Sequence, residues 1–484
     1  MKIGIIGAGI AGLASAVRMA SKGYEVSVFE ANSYPGGKLS EFQLGKYRFD
    51  AGPSLFTMPQ YVEDLFRVAN RPVADYFEYE KLETVCEYFW EDQTRLTAFA
   101  DKKQFAQEVE TKLGIERDKI HESLADSEYK YEVTGRIFLE QSLHRWSTWL
   151  KGSTLKAMLK IPSLDLFTSM NRVNEKQLEH SKLVQLFNRY ATYNGSNPYK
   201  TPGLLSIIPH FEYGIGAFFP KGGMHAITNS IFQLAKDLGV QFHFDSKVEE
   251  IVVKDGRATA LKIEHRSHSF DHIICNMDVF HAYRQLLPKQ KHPKRILNQT
   301  KSTSALIFYW GIKKEFPELD VHNILFSNDY QQEFAEMEAG RVFDDPTVYI
   351  NITSKRNPSD APEGCENWFT MINVPHNSGQ NWDELIAESR KNIITKIQRT
   401  LGIDIEPLIE QENLLEPRTI ESRTQSHLGA LYGTSSNNRM AAFMRHANFS
   451  NRIKNLYFCG GSVHPGGGIP LCLLSAKIVS DLMD

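Results

Sequence analysis

The sequence has no run of eighteen consecutive apolar residues, so no segment has the composition of a helix that crosses a bilayer. Its five cysteines, at 86, 275, 365, 459 and 472, are odd in number, and no two stand at metal-ligand spacing. A disulfide framework and a cysteine-based metal site are therefore not expected; reduced thiols in a reducing compartment are. Charge of one sign is not in excess either. There are 55 Lys and Arg against 58 Asp and Glu, a formal net charge of -3, which gives no reason to expect a nucleic-acid partner. Internal repeats, low-complexity tracts, a recognisable Ser/His/Asp arrangement and a metal motif are all missing. Only Met1 and Lys2 precede the first apolar run, so no signal peptide is expected there. Cytoplasmic location follows as an expectation, with attachment to a membrane surface open.

What is present is an ordinary globular balance over 484 residues, 42% hydrophobic and 23% charged, with length for two or three domains. The most informative stretch comes first. Residues 3–6 read as a short buried strand. Gly7-Ala8-Gly9-Ile10-Ala11-Gly12 is a complete G-x-G-x-x-G, followed by a helix of small and apolar residues that ends at Gly23. A second strand, from Glu25 to Phe29, closes on Glu30. Gly7 permits the tight turn, Gly9 lets a pyrophosphate approach the backbone, and Gly12 lets the helix lie on the sheet. The helix N-terminus, with Ile10 and Ala11 in its first turn, attracts phosphate charge. Glu30 stands where an acid accepts hydrogen bonds from ribose hydroxyls, and its charge disfavours a 2′-phosphate.

Pro35-Gly36-Gly37-Lys38 follows directly, where an NAD fold continues into a regular βαβ repeat. Two adjacent glycines again indicate backbone close to a ligand. Next comes Asp50-Ala51-Gly52-Pro53-Ser54, a turn-rich patch expected to face the cofactor. Residues 100–190 are mostly helical in pattern. Strands are expected at 244–253, with Val248 at the cofactor, and at 258–263 across an Asp255-Gly256 turn. Others are expected at 272–275 before Asn276-Met277-Asp278, and at 301–312, 348–353 and 368–374. Near the C-terminus the strand 455–459 runs into Gly460-Gly461-Ser462 and on through His464-Pro465 to Gly468-Ile469-Pro470. A final apolar helix follows. Bare backbone at a helix N-terminus suits a flavin and its pyrophosphate.

The early run of G-x-G-x-x-G, acid and G-G-K resembles the glutathione-reductase-type FAD fold. The whole set of blocks resembles the bacterial and fungal carotenoid desaturases of the phytoene-desaturase type. The resemblance extends to Gly195-Ser196-Asn197-Pro198-Tyr199, to 219–224 and to 276–279, and is most specific at His464-Pro465-Gly466-Gly467-Gly468-Ile469-Pro470. Amine oxidases of the same fold usually carry an acid just after the last strand; Gly461 stands there, as glycine or alanine does in the desaturases.

The resemblance implies an α/β fold in which a Rossmann FAD domain (1–70, 210–300 and 420–484) is interleaved with a mixed-sheet and helical substrate domain (71–209 and 301–419). It implies FAD as cofactor and a carotenoid as substrate, met at a membrane surface, with oxygen or a quinone as electron acceptor. The reaction implied is desaturation beside a polyene by hydride transfer to flavin N5. General likeness favours 3,4-desaturation of a 1-hydroxycarotenoid. Phytoene or neurosporene desaturation, and isomerase or ketolase activity, are the alternatives. A non-catalytic pigment-binding protein is the rival from another class.

Hydride loss beside a polyene leaves a delocalised cation whose neighbouring proton needs only a weak base, so no strong catalytic triad is expected. Within the apolar run 204–219, Glu212 is the candidate proton acceptor, with a structural role as its alternative. His464, beside the C-terminal glycines, is expected to position rather than to catalyse. The stretches 146–151 and 155–166 mix aromatics, leucines and lysines; they suit either a headgroup layer or packing within the substrate domain.

Overall fold

The computed structural model describes residues 1–438 and 440–483 and leaves the side chains of Arg136, Ser153, Leu155 and Ala442 undescribed. The fold is α/β, built around two sheets. The first has five parallel strands in the order Gln241–His243, Glu25–Phe29, Lys2–Ile6, His272–Cys275 and Leu456–Phe458. Strands that are distant in sequence therefore lie side by side, and all of them end at the same edge. Side-chain alternation divides the sheet's two faces. Ile3, Ile5, Val26, Val28 and Ile274 pack under the helices Ile10–Ser21, His225–Asp237 and Ile469–Leu482. Ile6, Phe29, Ile273, Cys275 and Phe458 face the other way. There they meet a three-stranded antiparallel sheet of Val248–Lys254, Arg257–Ile263 and Arg266–Ser269.

The second sheet is mixed and has seven strands. Its order is Ile409–Leu415, Ser304–Ile312, Glu366–Val374, Val348–Ile352, His322–Leu325, Thr84–Phe89 and Arg95–Phe99. One face, carrying Phe308, Trp310, Ile350 and Trp368, is covered by the helix Trp382–Leu401. The opposite face meets the hairpin Glu41–Leu44/Tyr47–Asp50 at one end, and a helical cluster formed from residues 102–213 at the other.

Two boundaries differ from the sequence expectation. Phe77 and Tyr79, assigned to the substrate domain, pack with the dinucleotide core. Tyr213 and Phe211, assigned to the FAD domain, pack with the helical cluster. The physical reason is a small sheet, Phe56–Thr57, Ala217–Pro220 and Tyr79–Lys81, which straddles both units and carries the chain across twice.

Candidate functional site

In open parallel sheets, ligands bind outside the carboxyl ends of the strands, where the loops diverge. Here that edge collects most of the residues singled out from the sequence. Backbone bonds from Gly7 to Phe29, Asn276 to Ile6, Cys459 to Cys275 and Glu30 to His243 lock the strand ends together at 2.8–3.0 Å. Above them lie Gly7 to Gly12, Glu30, Asn276 to Asp278 and Gly460 to Ser462. Val248 is buried below the crevice, against Ile6 and Phe29.

The glycines are required by sterics as well as by any ligand. A methyl group on Gly12 would lie 2.0 Å from the Gly7 carbonyl oxygen. The Glu30 carboxylate turns back onto the loop: it accepts from the Ala8 N–H at 2.7 Å and from the Asn32 backbone and side-chain N–H groups at 2.9 Å. With its amide oxygen turned to the loop, Asn276 accepts from Gly9 and Gly12 at 3.2 Å. Gly36 donates to the Ala8 carbonyl, which fastens the double-glycine turn onto the first loop.

Lys38 extends the same surface. Its ammonium group donates to the carbonyls of Leu431 at 3.0 Å and Ala430 at 3.4 Å, and burial holds its pKa below the ordinary lysine value. A methyl on Gly52 would sit 1.9 Å from the Lys38 carbonyl, so the Gly52-Pro53-Ser54 turn lies directly on this run. At the C-terminal side, Ser462 Oγ accepts from the Val279 N–H at 3.0 Å, and Asp278 caps the short helix that begins there. Gly468 is the N-cap of the final helix, with Ile469 and Pro470 in its first turn. The first turns of the helices at Ile10 and Ile469 both have N–H groups without intrahelical acceptors. Two such helix ends, an acid at the close of the second strand and glycine-only approaches suit an anionic dinucleotide such as FAD.

His464 and Glu212 lie elsewhere. His464 is buried; its Nε2 faces the Gln141 carbonyl at 2.8 Å, and burial drives its pKa down to about 3. Its own carbonyl accepts from Asn448 and Ser475, so the residue ties the glycine loop to the neighbouring segments. Glu212, 2% exposed, sits in the helical cluster. It accepts from the Tyr190 hydroxyl at 2.6 Å and from the Tyr193 hydroxyl, and pairs with Arg189 at 3.5 Å. Its side-chain partners are Tyr190, Tyr193 and Arg189 of that cluster, not the residues of the glycine loops.

Two features escaped the sequence. Arg445, buried beside Gly466, donates to the carbonyls of Tyr432 and Thr434, and burial lowers its pKa to about 10. The only advance signal was one arginine at the edge of an apolar run. On the seven-stranded sheet, Tyr349 bonds to His322 Nδ1 at 2.7 Å and to Ser54 Oγ at 2.9 Å. One His-containing group among the described residues, His281, Glu421 and His427, has its ligating atoms within 4.8 Å of one another. Lys301 and Arg284 stand close to His427 and disfavour a cation there.

Comparison with known proteins adds three findings. The flavin containing amine oxidoreductase family matches residues 10–483. A 1-hydroxycarotenoid 3,4-desaturase from Flavobacterium sp. is 53% identical over 480 residues, 99% of this chain and 98% of that one. A 4,4'-diapophytoene desaturase (4,4'-diaponeurosporene-forming) from Staphylococcus aureus is 32% identical and covers 100% of this chain and 98% of its own. Among solved structures, putrescine oxidase bound to putrescine superposes with a TM-score of 0.63 at 14% identity, covering 100% of this chain and 98% of its own. An oxidoreductase from Methanosarcina mazei superposes at 0.62 and 15% identity, with both chains fully covered. These last two likenesses are likenesses of fold.

Proposed function

The chain belongs to the flavin-containing amine oxidoreductase family, among its carotenoid desaturases, and from that premise we propose that it is an FAD-dependent enzyme that desaturates a 1-hydroxycarotenoid at the 3,4 position. The observation that carries this reading is the end-to-end likeness, 53% over 99% of the chain, to a desaturase of that name.

Bound FAD supplies a hydride acceptor, a chemistry no protein side chain offers. The chain's own work is to hold and aim. Glu30 would hold the ribose end, the loops at Gly7–Gly12 and Gly460–Gly468 the pyrophosphate and its neighbours, and Gly36 to Lys38 with Gly52 to Ser54 would stand nearer the flavin ring. Hydride loss beside a polyene leaves a cation spread along the chain, so the adjacent proton departs to a weak base. Glu212, already committed to Arg189 and two tyrosines, anchors the buried Arg189 guanidinium. His464 positions the C-terminal loop. Placement of an apolar chain is then the main catalytic task.

The substrate is insoluble in water, which calls for docking at a bilayer. Trp146 (85% exposed), Leu150, Leu159 (83% exposed) and Phe167 form an exposed apolar group, with Lys151, Lys156 and Lys160 among them. Met440 extends it, since its segment abuts the first through Trp149 and Phe443. This pattern supports peripheral attachment to a membrane. Among the described residues, no helix is long and apolar enough to cross one. The electrons leave to oxygen or to a quinone.

The test is product analysis after expression in cells that accumulate 1-hydroxylated or non-hydroxylated carotenes, together with anaerobic bleaching of the purified yellow protein. New conjugated double bonds in the hydroxylated substrate and reduction of the flavin are expected. A protein that isolates without flavin and cannot be reconstituted overturns the reading.

A further inference from the structure

One end of the seven-stranded sheet carries polar groups where a polyene enzyme has least use for them. His322, Asn351 and Tyr349 are neighbours on the face that looks towards the glycine crevice. Their hydrogen bonds form one chain. The Asn351 amide donates to the Val321 carbonyl at 2.9 Å and lies 3.3 Å from His322 Nδ1. Burial, and then the nearby Arg189, lower the His322 pKa to about 3, in keeping with a neutral ring. His322 Nδ1 is hydrogen-bonded to the Tyr349 hydroxyl at 2.7 Å, and that hydroxyl to the Ser54 hydroxyl at 2.9 Å. The chain of bonds ends on Ser54 Oγ, which has capacity for a further hydrogen bond.

This hydroxyl stands in a telling place. Ser54 lies two residues beyond Gly52, which rests on the Lys38 carbonyl of the double-glycine run. Ser54 and Tyr349 are each only partly buried. The side chains of Leu55, Phe211, Met371 and Leu431 beside them are also partly buried apolar groups. The polar end point thus lies among apolar groups, next to the turn at Gly52. In a 1-hydroxylated chain that loses hydrogen from carbons 3 and 4, the oxygen lies about 4 Å from the nearer reacting carbon, with single bonds of about 1.5 Å. A group that recognises that hydroxyl has to sit close to the flavin.

Building on the desaturase reading above, we propose that the Ser54 hydroxyl, held by Tyr349 and His322, makes a hydrogen bond with the substrate's C1 hydroxyl and so sets which carbon–carbon bond lies at the flavin. A chain without the hydroxyl leaves the polar end point unpaired against apolar carbon, and hydrogen-bonding sites reject such analogues strongly.

The test uses the purified, FAD-loaded full chain in liposomes, with a 1-hydroxycarotenoid and its 1-deoxy counterpart compared by kcat/KM. The intact protein should prefer the hydroxylated substrate by tenfold or more. Ser54→Ala should bring that ratio close to one, and Ser54→Thr, which keeps the hydroxyl, should retain most of it. Tyr349→Phe removes the group that holds the serine hydroxyl and should also shrink the ratio. A ratio unchanged in Ser54→Ala, or equal losses on both substrates, overturns the proposal while leaving the desaturase reading in place. A flavin-loaded protein that desaturates neither substrate overturns both.

Discussion

Along Ser304–Ile312, Leu306, Phe308 and Trp310 are sealed against the helix Trp382–Leu401, while the alternating Ile307 and Tyr309 lie on the opposite, crevice-facing side, against Tyr47 and Phe49 of the hairpin. The same division runs across the sheet. On the sealed face Trp368, Ile350 and Leu325 continue a largely apolar layer. On the other, Tyr309, Phe369, Asn351 and His322 stand in register, next to a second row of Ile307, Met371 and Tyr349. One face is mostly apolar, with few polar groups such as the Asn323 amide and the Thr370 hydroxyl; the other carries hydroxyl, amide and imidazole groups bonded to one another and to the Gly52-Pro53-Ser54 turn. A period of two lets one set of strands serve stability on one side and placement on the other, with little exchange between them.

The greatest expected effect breaks the sealed side. Trp310→Ala empties a fully buried site and should cost about 3–5 kcal/mol. It also removes the indole N–H bond to Glu412, 2.7 Å long. Thermal unfolding of the flavin-loaded protein checks it, and the substrate ratio of the surviving folded fraction should stay that of the intact protein. A shifted ratio would show that the two faces are coupled.

The two faces were not equally legible beforehand. Trp310 and Trp368 lie in apolar runs that read as strands without any knowledge of their partners. Glu30 and the glycines were legible for a related reason: a turn, a close backbone approach and an acid at the end of a strand are local requirements. The crevice-facing side was opaque. Tyr349 and His322 look like ordinary strand residues until Ser54, nearly 300 positions away, is brought to them. The edge strand Ile409–Leu415 was missed because its charged Ile-Glu-Gln-Glu pattern half faces solvent. Glu212 was read from its apolar neighbours in sequence, whereas its partners, Arg189, Tyr190 and Tyr193, come from another turn of the helical cluster.

The next effect is one of pH and, within this sheet, belongs to the crevice-facing side. His322 has its pKa lowered to about 3, chiefly by burial, against an ordinary histidine value of 6.5. Between those values the unfolded chain binds a proton that the folded chain does not, so stability falls as pH drops from 6.5 towards 3 and is unaffected above that window. His446 and His464, lowered to about 4 and about 3, act in the same direction. His322→Gln should remove one such proton and flatten the slope by about 1.4 kcal/mol per pH unit within the window. Trp310→Ala should lower the whole curve and leave its slope alone. Unfolding midpoints measured from pH 7 to pH 4 separate the two.

The smallest expected effect tests the one hydroxyl that joins this face to the crevice without entering the Ser54 relay. The Tyr309 O–H donates to the Ala51 carbonyl at 2.9 Å, and Ala51 immediately precedes the Gly52-Pro53-Ser54 turn. Phenylalanine keeps the ring, and with it the edge contacts to Phe42, Phe49 and Phe369, so packing should survive. What is lost is one bond to a carbonyl near the crevice, about 1 kcal/mol. If the sheet serves the crevice by fixing that turn, Tyr309→Phe should weaken flavin retention about threefold to fivefold, in line with such an energy, with a thermal midpoint close to that of the intact protein. Flavin release followed by fluorescence measures it. A loss of thermal stability with unchanged flavin affinity would mean that Tyr309 belongs energetically to the sealed side, and that the two faces are divided less cleanly than their geometry implies.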